Sequence, residues 1–461
     1  MRVRVRAVGL AGAMAAVTIA ITAVGGAGGA STGTLTPRGC IDDNDPPEGP
    51  DDCGDDADGL DEPDGVAVSP NGRSVYVVSG GDDAIVRFHR SASGALTPRG
   101  CIDDNDPPAG PDNCADDTNG LDGAGSVAVS ADGNSVYVAS DQDDDAIARF
   151  DRSASGKLTP RGCIDDNDPP DGPDNCATDA NGLDDASSVA VSRDGRSVYA
   201  ATEGDNAIVH FKRNGRTGAL TPRGCIDDND DGPDNCADDT NGLNGAGAVA
   251  VSPDGKSVYV IGENDDAIVT FKRSSRTGKL TPRGCIEDND PPAGPDDCGD
   301  DANGLSRVGS VAVSPDGTSV YVTGEDDDAI VTFKRNSRTG KLTPRGCIED
   351  NDPPEGPDDC AADTNGLEGA SSVAVSQDGK SVYVTSEDDD AITLFKRNKR
   401  SGKLTPQGCI EDNDPPEGPD DCGDGTNGLD STEGVTVSPD GKSVYVTSEG
   451  DDAIVHFRRQ R

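Results

Sequence analysis

Seven short segments of this 461-residue chain carry residue types that bind hard cations. Each segment begins at a cysteine and continues with Asp-x-Asn-Asp or Glu-x-Asn-Asp, as at Asp42, Asn44 and Asp45. Carboxylates, asparagine amides and backbone carbonyls are oxygen ligands that suit Ca²⁺. The fourth copy adds Asp231, Gly232 and Asp238, which approach a calcium-loop spacing, but no helical pattern flanks it. We therefore predict calcium in these loops.

The predicted metal ligands recur at the same places in all seven copies. In chain order they are Asp42, Asn44, Asp45, Asp103, Asn105, Asp106, Asp165, Asn167, Asp168, Asp227, Asn229, Asp231, Asp238, Glu287, Asn289, Asp290, Glu349, Asn351, Asp352, Glu411, Asn413 and Asp414. The affinity expected of such extracellular sites is weak, about 10⁻⁴ to 10⁻³ M. A second interpretation stays open, in which the acids form a solvated surface that keeps the protein soluble.

Fourteen cysteines bracket these acidic segments, two to each. The predicted disulfides are Cys40–Cys53, Cys101–Cys114, Cys163–Cys176, Cys225–Cys236, Cys285–Cys298, Cys347–Cys360 and Cys409–Cys422. The fourth pair is two residues closer than the others while its flanks are unchanged, as a locally closed loop permits. Bridges between neighbouring repeats are the alternative. A zinc site is disfavoured, because no Cys-x-x-Cys spacing and no recurring histidine occurs.

The bracketed loops belong to a longer repeat. The motif LTPRGC or LTPQGC starts at Leu35, Leu96, Leu158, Leu220, Leu280, Leu342 and Leu404, in steps of 60 to 62 residues. Each repeat contains one tyrosine and one phenylalanine, and the chain has no tryptophan. Such near-identical units indicate a repeat architecture rather than independent domains.

Four short strands are predicted in each repeat. In the sixth they cover residues 372–376, 381–385, 391–395 and 403–410, with a Gln-Asp-Gly-Lys turn after the first. Asp-Gly accepts the positive φ of a tight hairpin, and the proline in the fourth strand marks it as an edge. Four antiparallel strands repeated seven times predict an all-β, seven-bladed β-propeller. A string of separate disulfide-bonded beads is disfavoured, because its strands would face water.

The two chain ends complete one blade. The N-terminal strand, residues 34–41, lacks three partners, and the last strand, residues 453–457, lacks a fourth. We therefore predict that the N-terminal strand joins the C-terminal blade and closes the ring, which removes an exposed edge.

Strand alternation also predicts which loops share a face. The second-to-third turn and the connection between blades lie at the same end of an antiparallel sheet, so both acidic segments should form one anionic face. The third-to-fourth loop lies at the opposite end. In the sixth repeat it carries Lys396, Arg397, Lys399, Arg400 and Lys403, which predicts a basic rim there.

The segment SVAVSPDGTSVYVTGEDDDAIVTFKRNSRTGKLT, residues 310–343, resembles the repeat of YVTN-type and lactonase-family seven-bladed propellers. The TGKLT strand and the GCI…C…NGL…SVAVS linkage are similar to secreted bacterial members, and the likeness covers residues 35–461. This resemblance implies the propeller fold. It also implies an alternative function, hydrolysis of sugar lactones, although no short active-site signature of the family can be matched to residues of this chain.

The N-terminus predicts export. Three arginines precede an apolar run and a small-residue end at Ala30, so residues 1–30 read as a signal peptide and residues 31–461 as the propeller. An uncleaved membrane anchor is the alternative. The mature chain keeps 37 basic and 87 acidic residues, a net charge of −50. Nucleic acid and anionic membranes are thereby excluded as partners, whereas cations are favoured.

Residues that depart from the repeat could mark a catalytic site. His89, His210 and His456 lie on or beside third strands, where other repeats have Arg149, Thr270, Thr332 or Leu394, and they are interpreted as surface variation. No Ser-His-Asp set or Gly-x-Ser-x-Gly turn is visible. The first hypothesis is thus a secreted, monomeric binding or structural ring with Ca²⁺ and a cell-envelope or protein partner. The second is the lactonase.

Overall fold

The computed structural model describes residues 33–43, 53–104, 114, 116–142, 144–166, 176–229, 236–288, 298–351, 360, 362–413, 422 and 424–460. These residues form strands and turns arranged as seven small sheets. Within them, no helix combines the length and apolarity needed to cross a membrane. The predicted signal peptide lies outside the described residues.

The sheets are the seven blades of the predicted propeller. Blade 1 contains β3 (Pro63–Val68), β4 (Ser74–Ser79), β5 (Ala84–Arg90), β6 (Leu96–Asp104) and β7 (Asp117–Thr118). Blade 2 contains β8 (Ala124–Val129), β9 (Ser135–Ser140), β10 (Ala146–Arg152), β11 (Leu158–Pro160), β12 (Asp165–Asp166) and β13 (Asp179–Ala180). Blade 3 contains β14 (Ser188–Val191), β15 (Ser197–Thr202), β16 (Ala207–Arg213), β17 (Leu220–Asp228) and β18 (Asp238–Thr240). Blade 4 contains β19 (Ala248–Val251), β20 (Ser257–Gly262), β21 (Ala267–Arg273), β22 (Leu280–Asp288) and β23 (Asp301–Ala302).

The remaining blades repeat this pattern. Blade 5 contains β24 (Val308–Val313), β25 (Ser319–Gly324), β26 (Ala329–Arg335), β27 (Leu342–Asp350) and β28 (Asp363–Thr364). Blade 6 contains β29 (Ala370–Val375), β30 (Ser381–Ser386), β31 (Ala391–Arg397), β32 (Leu404–Asp412) and β33 (Asp424–Thr426). Blade 7 contains β34 (Thr432–Val437), β35 (Ser443–Ser448), β36 (Ala453–Arg459), β1 (Leu35–Asp43) and β2 (Asp56–Ala57).

Blade 7 confirms the predicted ring closure. Strand β1 pairs antiparallel with β36, from Leu35 opposite Arg459 to Asp42 opposite Ala453. The ring is therefore closed by hydrogen bonds between the two ends of the chain. In each blade a further strand of two or three residues pairs parallel with the end of the fourth strand, as Asp363 does with Glu349. This short strand could not be predicted from the sequence, because two or three residues show no periodicity.

The hydrophobic core lies between blades rather than within them. One cluster joins Tyr259 and Ile268 of blade 4 to Val320, Val331 and Phe333 of blade 5. Six similar clusters occupy the other junctions, including the junction of blades 7 and 1. All seven tyrosines are fully buried at these junctions. A single blade could not bury both of its faces, so the repeats fold as one ring.

A polar clasp also joins neighbouring blades at the end opposite the acidic face. Arg335 of blade 5 donates from Nε to the hydroxyl of Tyr259 in blade 4 at 2.8 Å, and from Nη2 to Asp254 at 2.9 Å. The Tyr259 hydroxyl in turn donates to the carbonyl of Gly340 at 2.7 Å. The equivalent arginine–tyrosine pairs are Arg90–Tyr445, Arg152–Tyr76, Arg213–Tyr137, Arg273–Tyr199, Arg397–Tyr321 and Arg459–Tyr383.

The clasp corrects one part of the predicted basic rim. Lys396, Lys399, Arg400 and Lys403 are exposed, as expected. Arg397 is instead buried, because its guanidinium binds Asp316 and the hydroxyl of Tyr321. The last arginine of each third strand therefore holds two blades together and does not contribute free charge to the rim.

Candidate functional site at the axial carboxylate ring

Three sets of acidic-face side chains accept hydrogen bonds from backbone N–H groups. The second acid after the first cysteine accepts from the leucine of the NGL or DGL motif, with N–O distances of 2.8 to 3.1 Å. These seven acceptors are Asp43, Asp104, Asp166, Asp228, Asp288, Asp350 and Asp412. They hold the segment that leads into the next first strand.

The second-to-third turn supplies the other two sets. One contains Asp82, Asp144, Asp205, Asp265, Asp327, Asp389 and Asp451, which accept from the residue after that leucine. The next residue of the turn has positive φ and accepts an N–H from the following blade; this set is Asp83, Asp145, Asn206, Asp266, Asp328, Asp390 and Asp452.

These bonds confirm that both acidic segments lie on one face. Asp43 and Asp82 belong to the two different segments, yet they bind the adjacent N–H groups of Leu60 and Asp61. They also show why the repeat needs so many acids. A loop with few apolar residues leaves its backbone amides without partners, and carboxylates are strong acceptors for them.

A different group of acids surrounds the axis of the ring. The first strands of consecutive blades contact one another all the way round, so they are the innermost strands. The turn that follows each second strand starts with an acid in six blades. Together with two acids on first strands, these form the axial carboxylate ring: Asp64, Asp141, Glu203, Glu263, Glu325, Glu387, Glu433 and Glu449.

Asp64 and Glu433 break the sevenfold repetition. They occupy the second position of β3 and β34, on the adjoining blades 1 and 7. The other blades have small residues at this position, namely Gly125, Ser187, Gly247, Gly309 and Ser371. A side chain on Gly309 would overlap the carboxylate of Glu325. The small residues thus leave room for the turn acids. Blade 7 brings Glu433 into this space in addition to its turn acid Glu449, whereas blade 1 has Asp64 there and Gly80 at the start of its turn.

The electrostatics at Asp64 and Glu433 are dominated by burial and by like charge. Burial, together with Asp64, Glu387, Glu449 and Glu325, raises the pKa of Glu433 to about 9. Burial and the neighbouring acids also raise the pKa of Asp64 well above its usual value. At neutral pH, Glu433 therefore holds its proton unless a cation takes that place.

The same causes act on Glu325 and Asp141. Burial is the main reason why the pKa of Glu325 is raised to about 7 and that of Asp141 to about 6. Among the described residues, no hydrogen bond reaches the Glu433 carboxylate; its backbone carbonyl accepts from Ser371 and Thr385. A carboxyl group in these surroundings favours its protonated form.

One arginine enters this acidic group. Arg307 Nε lies 3.0 Å from Glu263 and 3.3 Å from Glu325, and more than half of its side chain is exposed. Its charge therefore compensates the side of the ring formed by blades 4 and 5. Asp64 and Glu433 lie on the opposite side, at the junction of blades 7 and 1, where the acids have no such neighbour among the described residues.

The predicted calcium ligands are only partly described. Asp42, Asp103, Asp165, Asp227, Glu287, Glu349 and Glu411 lie at the ends of fourth strands, where most pair with the short parallel strand. Asp238 begins β18, while Asn229, Asn351 and Asn413 are exposed. The other predicted ligands lie outside the described residues: Asn44, Asp45, Asn105, Asp106, Asn167, Asp168, Asp231, Asn289, Asp290, Asp352 and Asp414.

Within the described part of the chain, one acidic trio has ligand atoms close enough to share an ion. Asp145, Asp184 and Asp185 have carboxylate oxygens within 4.8 Å of one another, at the junction of blades 2 and 3. None of the three was predicted as a ligand. Asp145 already accepts the N–H of Asp185 at 2.8 Å, so this contact has a structural explanation.

All seven predicted disulfides are confirmed. Each closes a loop of 11 or 13 residues beside the start of a first strand. Cys347, for example, packs on Gly304 of the NGL motif, where a Cβ atom would lie 3.1 Å from the cysteine Cβ. Seven disulfides without a free cysteine indicate an oxidising compartment.

Carboxylates gathered around one ion in the central channel were an expectation from the repeat, but the residues of the axial ring were not predicted. The signal was available, because aligning the repeats places Asp64 and Glu433 opposite glycine or serine in the other five. The three histidines stand out as departures from the repeat, whereas the departing carboxylates are hard to distinguish in a sequence with 87 acids. Only the arrangement of first strands around an axis shows that two of them meet.

Comparison with known proteins identifies the fold. No protein-family model and no curated protein matches this chain. Solved structures do. A putative 6-phosphogluconolactonase from Bacteroides fragilis is 19% identical with a TM-score of 0.51, covering 75% of this chain and 83% of its own. The periplasmic gluconolactonase of Pseudomonas aeruginosa is 18% identical with a TM-score of 0.51, covering 75% and 85%.

A third similar structure has an unrelated activity. Hydrazine synthase of Kuenenia stuttgartiensis is 16% identical with a TM-score of 0.54, and the match covers 87% of this chain and 97% of that one. The likeness to lactonase propellers therefore confirms the predicted architecture. It does not by itself select an activity, because function depends on the site rather than on the fold.

Proposed function

We propose that this protein is an exported propeller that binds a divalent cation, Ca²⁺, at the axial carboxylate ring. The observation that carries the proposal is the meeting of Asp64 and Glu433, from adjoining blades, with the turn acids Glu387 and Glu449. The disulfides and the N-terminal segment support export. A cell-envelope or protein partner and the monomeric state remain predictions.

The donor set fits calcium. The ring offers carboxylate oxygens, which are hard ligands, and it offers no histidine or cysteine. A cation would also relieve the repulsion that raises the pKa of Glu433. The disulfide-closed loops remain a second predicted location for calcium. In each loop, the second acid after the first cysteine already accepts a backbone N–H. The loops therefore have less need of an ion than the ring.

Stoichiometry and one variant distinguish the two locations. Dialysis against Ca²⁺ at pH 7.5, followed by counting bound metal, should give one or two ions per chain for the ring, against about seven for the loops. Glu433→Ser introduces the residue that blade 6 has as Ser371, so it should fold normally. We expect this variant to lose at least one ion and the calcium-dependent rise in melting temperature.

A matched control is Asp388→Asn, an exposed acid on the same face for which blade 4 has Asn264. This variant should bind as the original protein does. Unchanged stoichiometry in Glu433→Ser would overturn the ring as the site. Absence of bound calcium from all three proteins would overturn cation binding altogether.

Lactone hydrolysis is the second candidate, favoured by the asymmetry of the ring together with the lactonases among similar structures. A carboxyl group that is protonated at neutral pH can act as a general acid, and a nearby ionised carboxylate can act as a base. In that reaction the base removes a proton from water, the oxygen attacks the carbonyl carbon, and the ring C–O bond breaks. The acid then protonates the leaving oxygen. Glu433 has the properties of the acid and Asp64 is the candidate base.

Turnover of an aldonolactone tests this candidate. Glu433→Gln keeps the shape and removes the acid, so the rate above background should fall by about 10²-fold or more. Asp388→Asn should have no effect. Hydrolysis that is absent, or that is equally fast in Glu433→Gln, would exclude this role for the ring. Calcium stoichiometry is measured separately, so either proposal can fail alone.

A further inference from the structure

A cleft lined by basic side chains lies between blades 3 and 4. It has a volume of about 690 Å³ and lies between the fourth strand of blade 3 and the third-to-fourth loop of blade 4. Basic side chains dominate its lining, among them Arg196, Lys212, Arg223 and Arg276. The chain has a net charge of −47, so a cleft lined by basic side chains contrasts with the acidic face at the other end of the blades.

His210 lies at the bottom of the cleft and corrects the earlier interpretation of this residue as surface variation. Only 6% of it is exposed. Its ring stacks on Tyr199, with centroids 5.1 Å apart. Its Nε2 atom is buried and makes no hydrogen bond among the described residues. A buried polar atom without a partner is uncommon in folded proteins, and a ligand atom is one explanation.

His456 provides an internal comparison. It occupies the same position of blade 7, is also 6% exposed and also stacks on a tyrosine, Tyr445. Its Nε2 atom, however, lies 3.1 Å from Ser443 Oγ and is satisfied within the fold. Its cleft meets Ala92 and Ser93, where blade 4 has Ser275 and Arg276. The blade 3 cleft therefore has both the additional cation and the unsatisfied nitrogen.

The cations in the blade 3 cleft differ in availability. Arg213 and Arg273 already form ion pairs with Asp132 and Asp194 in the interblade clasps. Lys279 pairs with Asp238 at 3.0 Å, although both side chains are at least half exposed. Among the described residues, no acid lies within ion-pair distance of Arg196, Lys212, Arg223 or Arg276. These four side chains are exposed and free to meet an anion.

Apolar groups line the inner part of the cleft. Ile208, Ile226 and Leu280 contribute there, beside the Cys225 end of the disulfide loop. A bare inorganic anion would use only the basic rim, whereas an anion with an apolar body would fill both parts. We propose that this cleft binds a small organic anion, a phosphate or carboxylate on an apolar body, with Arg223 and Arg276 on the anionic group and His210 Nε2 as a polar contact.

Phenyl phosphate is a suitable probe, with inorganic phosphate and phenol as the two halves tested separately. Titration of the full chain by calorimetry should show saturable binding of phenyl phosphate that is tighter than binding of either half. Nitrogen NMR of the three histidines provides a local readout. Burial, with Arg273 and Arg223, lowers the pKa of His210 to about 4, so His210 is neutral at pH 7. Its Nε2 signal should shift on binding, while that of His456 should not.

The repeats supply matched variants. Arg223→Gln introduces the residue that blade 6 has as Gln407, and Arg283→Gln makes the same change one blade away. Losing a charge-assisted contact should weaken phenyl phosphate binding about tenfold or more in Arg223→Gln, and not in Arg283→Gln. His210→Thr, as at Thr270, should weaken binding severalfold, and His456→Thr should have no effect.

Equal losses in Arg223→Gln and Arg283→Gln would overturn the proposal, because they would indicate non-specific attraction. Binding of phosphate and phenyl phosphate with equal affinity, or a shift of His456 in place of His210, would also overturn it. Thermal melts of each variant verify folding. The readouts involve neither calcium nor lactone turnover, so the outcome is independent of the axial ring.

Discussion

The two ends of the blades differ in how closely they follow the sevenfold repeat. At one end the arginine–tyrosine clasp recurs in all seven junctions with nearly the same geometry, from 2.7 to 2.8 Å between guanidinium and hydroxyl. At the other end the axial ring has an acid at most turns, but only blades 1 and 7 add Asp64 and Glu433 from a first strand. Repetition in this chain therefore builds the ring, while two departures from it, Asp64 and Glu433, add carboxylates at the junction of blades 7 and 1.

The clasp should give the largest effect on stability. Replacing Arg335, which is fully buried, by methionine leaves Asp254, Tyr259 and the Gly317 carbonyl without their common donor. We expect the free energy of unfolding to fall by about 3–5 kcal/mol. Urea denaturation measures the change. The neighbouring exposed residue provides the control. Lys334→Met should have nearly the same free energy of unfolding as the unmodified protein. Equal effects of the two changes would show that the clasp is not a specific interblade tie.

Removing one disulfide should have the next largest effect. The double change Cys347→Ser and Cys360→Ser opens a 13-residue loop, and we expect a loss of roughly 3 kcal/mol in unfolding free energy. Calcium binding at the axial ring should be retained, since the loop is not part of it. Loss of bound calcium in proportion to disulfides removed would instead place the ions in the loops and erase the distinction between the two regions.

Replacing Glu433 should stabilise the protein, whereas replacing the clasp arginine should destabilise it. Because its pKa in the folded protein is about 9, against 4.5 unfolded, ionisation at pH 8 favours the unfolded chain. In the presence of chelator, Glu433→Ser should therefore raise the unfolding free energy at pH 8 by about 1–3 kcal/mol, and by less at pH 5. Denaturation at the two pH values measures the difference. A destabilised variant at both would show that Glu433 has a packing role only.

The acids of the second-to-third turns should have a smaller effect on the free energy of unfolding, and this effect should depend on pH. Burial raises the pKa of Asp328 and of Asp390 to about 7 from 3.8. The folded chain thus binds extra protons between about pH 4 and pH 7, so stability should increase as the pH falls through that window. The pKa values of Asp316 and the other clasp aspartates are lowered instead, because hydrogen bonds and the neighbouring arginine outweigh the effect of burial. Their contribution to stability is therefore lost only in strong acid. Stability should therefore be greatest in mildly acidic solution.

A single variant isolates this contribution. Asp390→Asn keeps the acceptor for the N–H of Ser431, as Asn206 does for Gly245 in blade 3. We expect less than about 1 kcal/mol of stabilisation at pH 8 and a smaller stabilisation at pH 5. Asp390→Ala, the control, removes the acceptor and should destabilise the protein at both pH values. If the asparagine variant behaves like alanine, the carboxylate does more than accept a backbone bond.

Much of the fold could be predicted from local patterns. The Asp-Gly turns, the β-branched strands and the incomplete blades at residues 34–41 and 453–457 determine strand number and ring closure, since each depends on residues near in sequence. The disulfides could be predicted for the same reason. The parallel pairing of Asp363 with Glu349 could not, because two residues have no period.

The site was harder to predict for a physical reason. With 87 acids in the chain, composition identifies an anionic surface but does not separate those that accept backbone N–H groups from those that face one another. Asp43 and Asp64 look alike as letters; one binds the N–H of Leu60, and the other joins Glu433. His210 was misjudged similarly, because burial depends on the neighbouring blade.

By itself, the sequence determined the repeat, the number of blades, the sevenfold disulfides and the face on which the acids gather. These properties depend on the period of the chain and the alternating direction of its strands. Only the tertiary structure decided which charges meet. Asp64 and Glu433 are distant in sequence and come together when the ring closes, as do Arg223 and His210 with the loop of blade 4. Electrostatic energy depends on separation in space and on burial, and neither is specified by position along the chain.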